Sequence, residues 1–227
     1  ATGQLTALTD TSSGASYTFS YSNGQLSQIV ASDGDTLLFG YNTSNQLISL
    51  SIQEIPPGQT SAVTRQAVSY GYDSQGRLST VTTTLASDTD SSSTASYTTT
   101  YAYQGTTDLV SSVTQSDGTT VSYTYTQDTQ GAYQVTGITT GTGSAAQALT
   151  LSYGTNSTTV TDGLGNTTTY QTNAQGQLTS VIAPAVNGSS PTTTYTYDAN
   201  GNLLTRTDPN GAITSYSYDA NGNLLSV

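Results

Sequence analysis

An eight-residue string occurs twice near the C-terminus, and no other feature restricts the possible folds of this chain as strongly. Tyr197-Asp198-Ala199-Asn200-Gly201-Asn202-Leu203-Leu204 returns unchanged, 21 residues later, as Tyr218-Asp219-Ala220-Asn221-Gly222-Asn223-Leu224-Leu225. A fixed period of this size marks a repeat architecture, in which one small unit is copied and neighbouring copies cover each other. Looser copies precede the pair. Tyr72-Asp73-Ser74-Gln75-Gly76-Arg77-Leu78 is the clearest, followed by Tyr21–Leu26, Tyr41–Leu47 and Asn173–Leu178. The leucine after each turn gives a phase marker at Leu5, Leu26, Leu47, Leu78, Leu109, Leu178, Leu203 and Leu224. The long interval between Leu109 and Leu178 hides two degenerate units, around Tyr125–Val135 and Tyr153–Val160. The expected organisation is one array over residues 1–227, with about ten units and belonging to a longer protein.

Each unit reads as strand, turn, strand, turn. Asn-Gly supplies the positive φ of a tight hairpin. A second marker, at Asp33-Gly34, Asp117-Gly118, Asp162-Gly163 and Asp208-Pro209-Asn210-Gly211, gives the alternate turns, the last fitting a type I turn with left-handed Gly after it. Between turns, Tyr195 and Tyr197 alternate with Thr194 and Thr196, the period-two pattern of a strand with one covered face. No amphipathic helix is apparent. At two strands per unit the chain yields roughly twenty strands in one sheet. Longer intervals at Ile52–Thr64, with Pro56-Pro57-Gly58, and at Leu85–Ser96, with the low-complexity Ser87–Ser93, are read as exposed loops or extended ribbon tips.

Composition narrows the function. The net charge is −11, with three Arg (Arg65, Arg77, Arg206), no Lys and no His, so no basic surface exists for nucleic acid. Without Lys, amide cross-links from Lys to Asn cannot form. There is no Cys, hence no disulfide. No apolar run approaches a membrane span, and membrane insertion is not expected. A Thr-, Ser-, Gly- and Asn-rich chain of this kind suits a bacterial extracellular or cell-surface protein.

Without His or Cys the common catalytic base and thiol nucleophile are missing. Carboxylate pairs such as Asp33 with Asp35, or Asp88 with Asp90, are read as turn residues. Asp198, Asn200 and Asn202, like Asp219, Asn221 and Asn223, have the i, i+2, i+4 spacing that wraps oxygens around calcium. The EF-hand pattern then needs Gly sixth and Glu twelfth, whereas Gly201 is fourth and Pro209 twelfth. They too are read as turn residues. The expectation is no catalytic, cofactor or metal site. The tyrosines are read as packing, stacked from one repeat to the next, with a sugar-binding face as the alternative. The Asn-X-Ser/Thr triplets at Asn42, Asn156, Asn166 and Asn187 follow from the abundance of Thr and Ser.

Tyr-Asp-X-X-Gly-X-Leu at this period resembles the YD repeat of the RHS (rearrangement hot spot) proteins, most specifically at Tyr72–Leu78, Tyr197–Leu204 and Tyr218–Leu225. The resemblance implies an all-β fold of antiparallel hairpin repeats in a continuous coiled sheet. Members of that family build hollow shells that enclose a C-terminal toxic domain, or the shell of teneurin adhesion proteins. The self-cleaving core of the toxin shells, with its Asp-Pro-X-Gly-Leu motif, is not recognisable, since Asp208-Pro209-Asn210-Gly211 is followed by Ala212. The reading is a non-catalytic structural segment building a β-sheet wall or filament, with neighbouring repeats or copies of the same protein as partners. The alternatives are a shell around a toxin domain and an adhesin surface for glycans.

Overall fold

The computed structural model describes residues 3–56, 60–86, 94–141 and 147–227. The chain divides into two compact units, Ala1–Thr119 and Thr120–Val227. Regular structure is all strand among the described residues, as period-two patterning dictates.

The first unit carries β1 (Ala7–Thr9), β2 (Ser16–Ser22), β3 (Gln25–Ala31), β4 (Thr36–Tyr41), β5 (Leu47–Glu54), β6 (Val63–Tyr72), β7 (Leu78–Ala86), β8 (Thr94–Tyr103) and β9 (Val110–Gln115). Each pairs antiparallel with the next. The second unit carries β10 (Thr120–Gln127), β11 (Tyr133–Thr140), β12 (Gln147–Gly154), β13 (Ser157–Asp162), β14 (Thr167–Thr172), β15 (Leu178–Ile182), β16 (Thr192–Tyr197), β17 (Leu203–Thr207) and β18 (Ile213–Ser215), again paired in order. A last hairpin joins β19 (Ser217–Tyr218) to β20 (Leu224–Ser226). β6, β7 and β8 run nine or ten residues, so the longer intervals there extend the ribbons. Residues 57–59 and the low-complexity Ser87–Ser93, with Asp88 and Asp90, lie outside the described residues.

The register sorts the side chains onto two unlike faces. Phe19 pairs with Ile29, Ile29 with Leu37 and Leu37 with Ile52, an apolar row across four strands. On the opposite face Gly71 pairs with Thr80, Thr80 with Thr100 and Thr100 with Thr114. The second unit repeats the division. Tyr123, Ile138 and Leu149 form an apolar row, and Ser152, Thr159 and Thr169 a hydroxyl row. Threonine hydroxyls bond across the polar face, at 2.9 Å for Thr82 with Thr98, 3.2 Å for Thr159 with Thr169 and 2.6 Å for Thr196 with Thr205.

Neither unit contains a conventional core. Among the described residues no hydrophobic side chain is fully buried, and Ser180, at 7% exposed, is the one buried residue. Strands contact their sequence neighbours instead of a second layer. Stability therefore rests on backbone ladders and on cross-strand pairs, each worth about 0.2–1 kcal/mol.

Candidate functional site

Within each unit the repeat motif builds one edge of that unit's sheet. In the turn Asp198-Ala199-Asn200-Gly201, the Gly201 N–H donates to the Asp198 carbonyl at 3.1 Å and the Asp198 N–H to the Asn202 carbonyl at 2.9 Å. Gly201 has φ +91°. This is a type I turn closed by a left-handed residue, the three-residue hairpin loop. The same bonds recur at Asp73–Arg77, Asn42–Gln46, Asp162–Asn166, Asn173–Gln177, Asp208–Ala212 and Asp219–Asn223. The two turn classes expected from the sequence thus share one geometry. In Asn200-Gly201 only the glycine takes positive φ. Both residues do so in Asn23-Gly24 and Asn187-Gly188, where the loop has two residues. Asn45, at φ +63°, fills the glycine position of its own turn.

In all of these turns except Asp208–Ala212, where Asp208 pairs instead with Arg206 at 2.6 Å, the side chain of the first residue is consumed by the turn. Asp198 Oδ1 accepts the N–H groups of Asn200 and Asn202, both at 2.9 Å, and Oδ2 accepts Asn202 Nδ2 at 2.9 Å. Asp219 does the same with Asn221 and Asn223, and Asp162 with Leu164 and Asn166. Where the turn begins with Asn, its partner four residues on is Gln, so that Asn42 Nδ2 donates to Gln46 Oε1 and Asn173 Nδ2 to Gln177 Oε1. Arg77 fills the same place opposite Asp73 at 2.8 Å. These donors hold the carboxyls below their ordinary range. The Asn amide four residues on is the main cause for Asp162, Asp198 and Asp219, and the Arg77 backbone N–H for Asp73. The Asp198 and Asp219 carboxylates, the charged members of the calcium-like spacing, are therefore occupied within their own turns. No cluster of three His, Cys, Asp or Glu occurs among the described residues. Asp33 likewise accepts the Asp35 N–H at 3.1 Å.

A bulge follows the turns that precede a repeat leucine, whereas none follows Asp162–Asn166 or Asp208–Ala212. Tyr72 pairs with Leu78 but Gly71 pairs with Thr80, leaving Ser79 out of register. The same skip omits Ile48, Thr179, Leu204 and Leu225. Such an extra residue breaks the ladder and leaves backbone groups unpaired. The tyrosine of the next unit answers this. Tyr72 Oη donates to Leu47 O at 2.8 Å, Tyr103 to Leu78 O at 2.7 Å, Tyr197 to Leu178 O at 2.8 Å, Tyr153 to Val135 O at 2.7 Å and Tyr21 to Leu5 O at 2.9 Å. The expectation that the repeat tyrosines stack through cross-strand pairs is corrected, since the register pairs none of them with another tyrosine. Tyr21, Tyr41, Tyr72 and Tyr197 each face the leucine of their own hairpin, because the loop and bulge set that register, while Tyr103 faces Val110 and Tyr153 faces Thr158.

A second set of bonds runs forward. Gln4 Nε2 donates to Gly24 O at 3.2 Å, Gln25 to Asn45 O at 3.2 Å and Gln46 to Gly76 O at 2.7 Å. Arg77 continues the line to the Gly105 and Thr107 carbonyls, with its guanidinium 4.3 Å from the Tyr103 ring centre. The residue before the marker leucine thus ties each turn of the first unit to the next. Sequence reading passed over it, although its type (Gln after Asn, Asn or Arg after Asp) carried the signal. The marker itself needs one correction. Val110, not Leu109, faces Tyr103, because the Gln104–Leu109 loop is one residue longer.

Residues 173–213 and 197–227 match the RHS repeat family. No curated protein matches the chain. The crystal structures of TcdB2-TccC3-TEV and TcdB2-TccC3-Cdc42 are each similar over 92% of this chain and 13% of theirs, at 15% identity and a TM-score of 0.58. The structure of the Photorhabdus luminescens Tc holotoxin pore (TccC3-D651A mutation) is similar over 92% of this chain and 14% of that one, at 16% identity and a TM-score of 0.40. The chain thus spans about an eighth of the length of the solved chains it resembles, and the likeness concerns the fold alone.

Proposed function

We propose that this chain, which carries RHS repeats over its C-terminal quarter and the RHS-type fold beyond them, is a non-catalytic wall segment of a large secreted or cell-surface bacterial protein. The observation that carries this reading is the double linkage of repeat to repeat. Side-chain bonds run backward from tyrosine and forward from Gln or Arg, in addition to the backbone ladder. Such an arrangement propagates a sheet. It converges no set of polar groups on a reacting atom, as an active site would. Among the described residues no helix is long and apolar enough to cross a membrane.

A second reading is a hollow shell around a toxin domain. Two observations favour it: the fold-level likeness to the TcdB2-TccC3 structures, and an apolar face that no second layer of its own unit covers. Negative-stain microscopy of the native full-length protein distinguishes the two. An extended filament or open wall supports the first reading. A closed capsule with internal density overturns it in favour of the second, and a compact particle without repeat periodicity sinks both.

A further inference from the structure

The tyrosines divide by what holds them. Tyr21, Tyr72, Tyr103, Tyr153 and Tyr197 commit their hydroxyls to carbonyls of a neighbouring hairpin. Tyr97 and Tyr133 are the two most exposed, at 60% and 48%, and among the described residues neither phenol enters a hydrogen bond. Their exposure has one cause. Tyr97 pairs with Thr83 on one side, but β9 pairs with β8 only over Thr99–Tyr103, so on the other side Tyr97 lies past the end of the ladder. Tyr133 pairs with Gln127, whereas β12 meets β11 only from Gly137 to Thr140. Tyr17 and Tyr170 are also exposed, yet each stands between two paired strands: Tyr17 between Leu8 and Ala31, Tyr170 between Thr158 and Val181. A flank with no partner strand leaves the ring edge uncovered, including the carbons ortho to the hydroxyl.

We propose that Tyr97 and Tyr133 are oxidative cross-linking sites, through which copies of this chain are joined ring to ring by dityrosine bonds. The inference rests on the open-wall reading above, in which both tyrosines stay accessible to a second copy. Composition supports it. The chain has no Cys for disulfides and no Lys for amide cross-links. It also has no Met, Trp or His, so no more easily oxidised side chain competes with its 17 Tyr. Ala95–Thr99 and Gly131–Val135 carry no charge, so contact there brings no like charges together between copies that each carry −11. The co-reactant is hydrogen peroxide acting through a one-electron haem oxidant. Each phenol gives up one electron and its hydroxyl proton. The two phenoxyl radicals then form a C–C bond between carbons ortho to oxygen, and the ortho hydrogens move to the oxygens as the rings regain aromaticity. Two hydrogens leave in all, and the peroxide they reduce becomes two waters. Tyr97 lies in the first unit and Tyr133 in the second. One reactive ring per copy permits only dimers, whereas two let a polymer grow, because every added copy brings an unused ring.

The full chain is treated with a haem peroxidase and hydrogen peroxide, and the products are followed by denaturing gels, dityrosine fluorescence and mass mapping of linked peptides. Coupling is read from the gels and particle shape from microscopy, so failure of the linkage and failure of the wall reading are seen separately. The unaltered chain is expected to give a ladder of dimers and higher multimers. Tyr97→Phe and Tyr133→Phe are each expected to stop the ladder at dimers. The double variant is expected to lose it, with its circular dichroism melt unchanged. Tyr17→Phe/Tyr170→Phe is expected to keep the full ladder. Absence of dityrosine between copies of the unaltered chain overturns the proposal. So does a ladder that survives the Tyr97/Tyr133 change, one that the Tyr17/Tyr170 change removes equally, or linkage mapped to the hydrogen-bonded repeat tyrosines instead.

Discussion

Replacing Tyr72 by Phe tests the linkage between repeats at a single atom. The substitution keeps the ring, its place opposite Leu78 and the hairpin turn, and deletes only the hydroxyl that donates to the Leu47 carbonyl at 2.8 Å. No cavity forms, so the transfer and packing terms of a core truncation do not enter. The loss is one neutral hydrogen bond plus the partial desolvation of a carbonyl stranded by the bulge. A net value of about 1 kcal/mol applies, because Tyr72 and Leu47 are only half-buried and water can reach the vacated acceptor. For a domain of roughly a hundred residues this lowers the melting temperature by about 4–8 °C. Tyr21→Phe, Tyr72→Phe and Tyr103→Phe act at separate junctions of the same unit, so the triple variant should lose about 3 kcal/mol by addition. Urea unfolding followed by circular dichroism measures this, with the slope expected to stay constant. Tyr97→Phe, at the most exposed tyrosine (60%), is the control. If Tyr72→Phe falls within about 0.3 kcal/mol of that control, the hydroxyl does not couple the repeats and the reasoning fails.

Further outcomes follow from the turns and the polar face. Gly76→Ala should cost about 1 kcal/mol for its positive φ, while Gly76→Asn should cost clearly less, since Asn45 already occupies that place; equal losses in chemical denaturation would contradict this. A Cβ on Gly71 would meet Thr80 Oγ1 at 2.3 Å, so Gly71→Ala should destabilise by about 1 kcal/mol and Thr80→Ala should relieve part of it in a double-mutant cycle. Asp73, Asp162, Asp198 and Asp219 have lowered folded-state pKa values, so their contribution is present above the ordinary carboxylate pKa and is lost as pH falls through the lowered values. The melting temperature should therefore change little from pH 8 to 5 and fall below about pH 4, with a shallower fall in the Asp198→Asn/Asp219→Asn variant. The paired change Asp73→Asn/Arg77→Gln, which reproduces the Asn173 and Gln177 pair, should preserve stability better than Asp73→Ala, as thermal melts can show.

Strand content, hairpin order and the place of the turns were legible in the sequence because they are local. A tyrosine–threonine alternation specifies a two-faced strand wherever it lies, and Asp-X-X-Gly closes its own loop through bonds spanning four residues. The bulges were not legible. Adjacent Leu203 and Leu204 break the alternation, but which of them faces Tyr197 depends on how the loop sets the register across the hairpin. Nor were the links between repeats, since the phenol of Tyr103 and the carbonyl of Leu78 are 25 residues apart and meet only once two hairpins lie side by side. The chain by itself determined that it would be a row of hairpins with one apolar and one hydroxyl-rich face. Tertiary structure decided how the hairpins are tied together, because that depends on register and side-chain reach between units that no local pattern encodes.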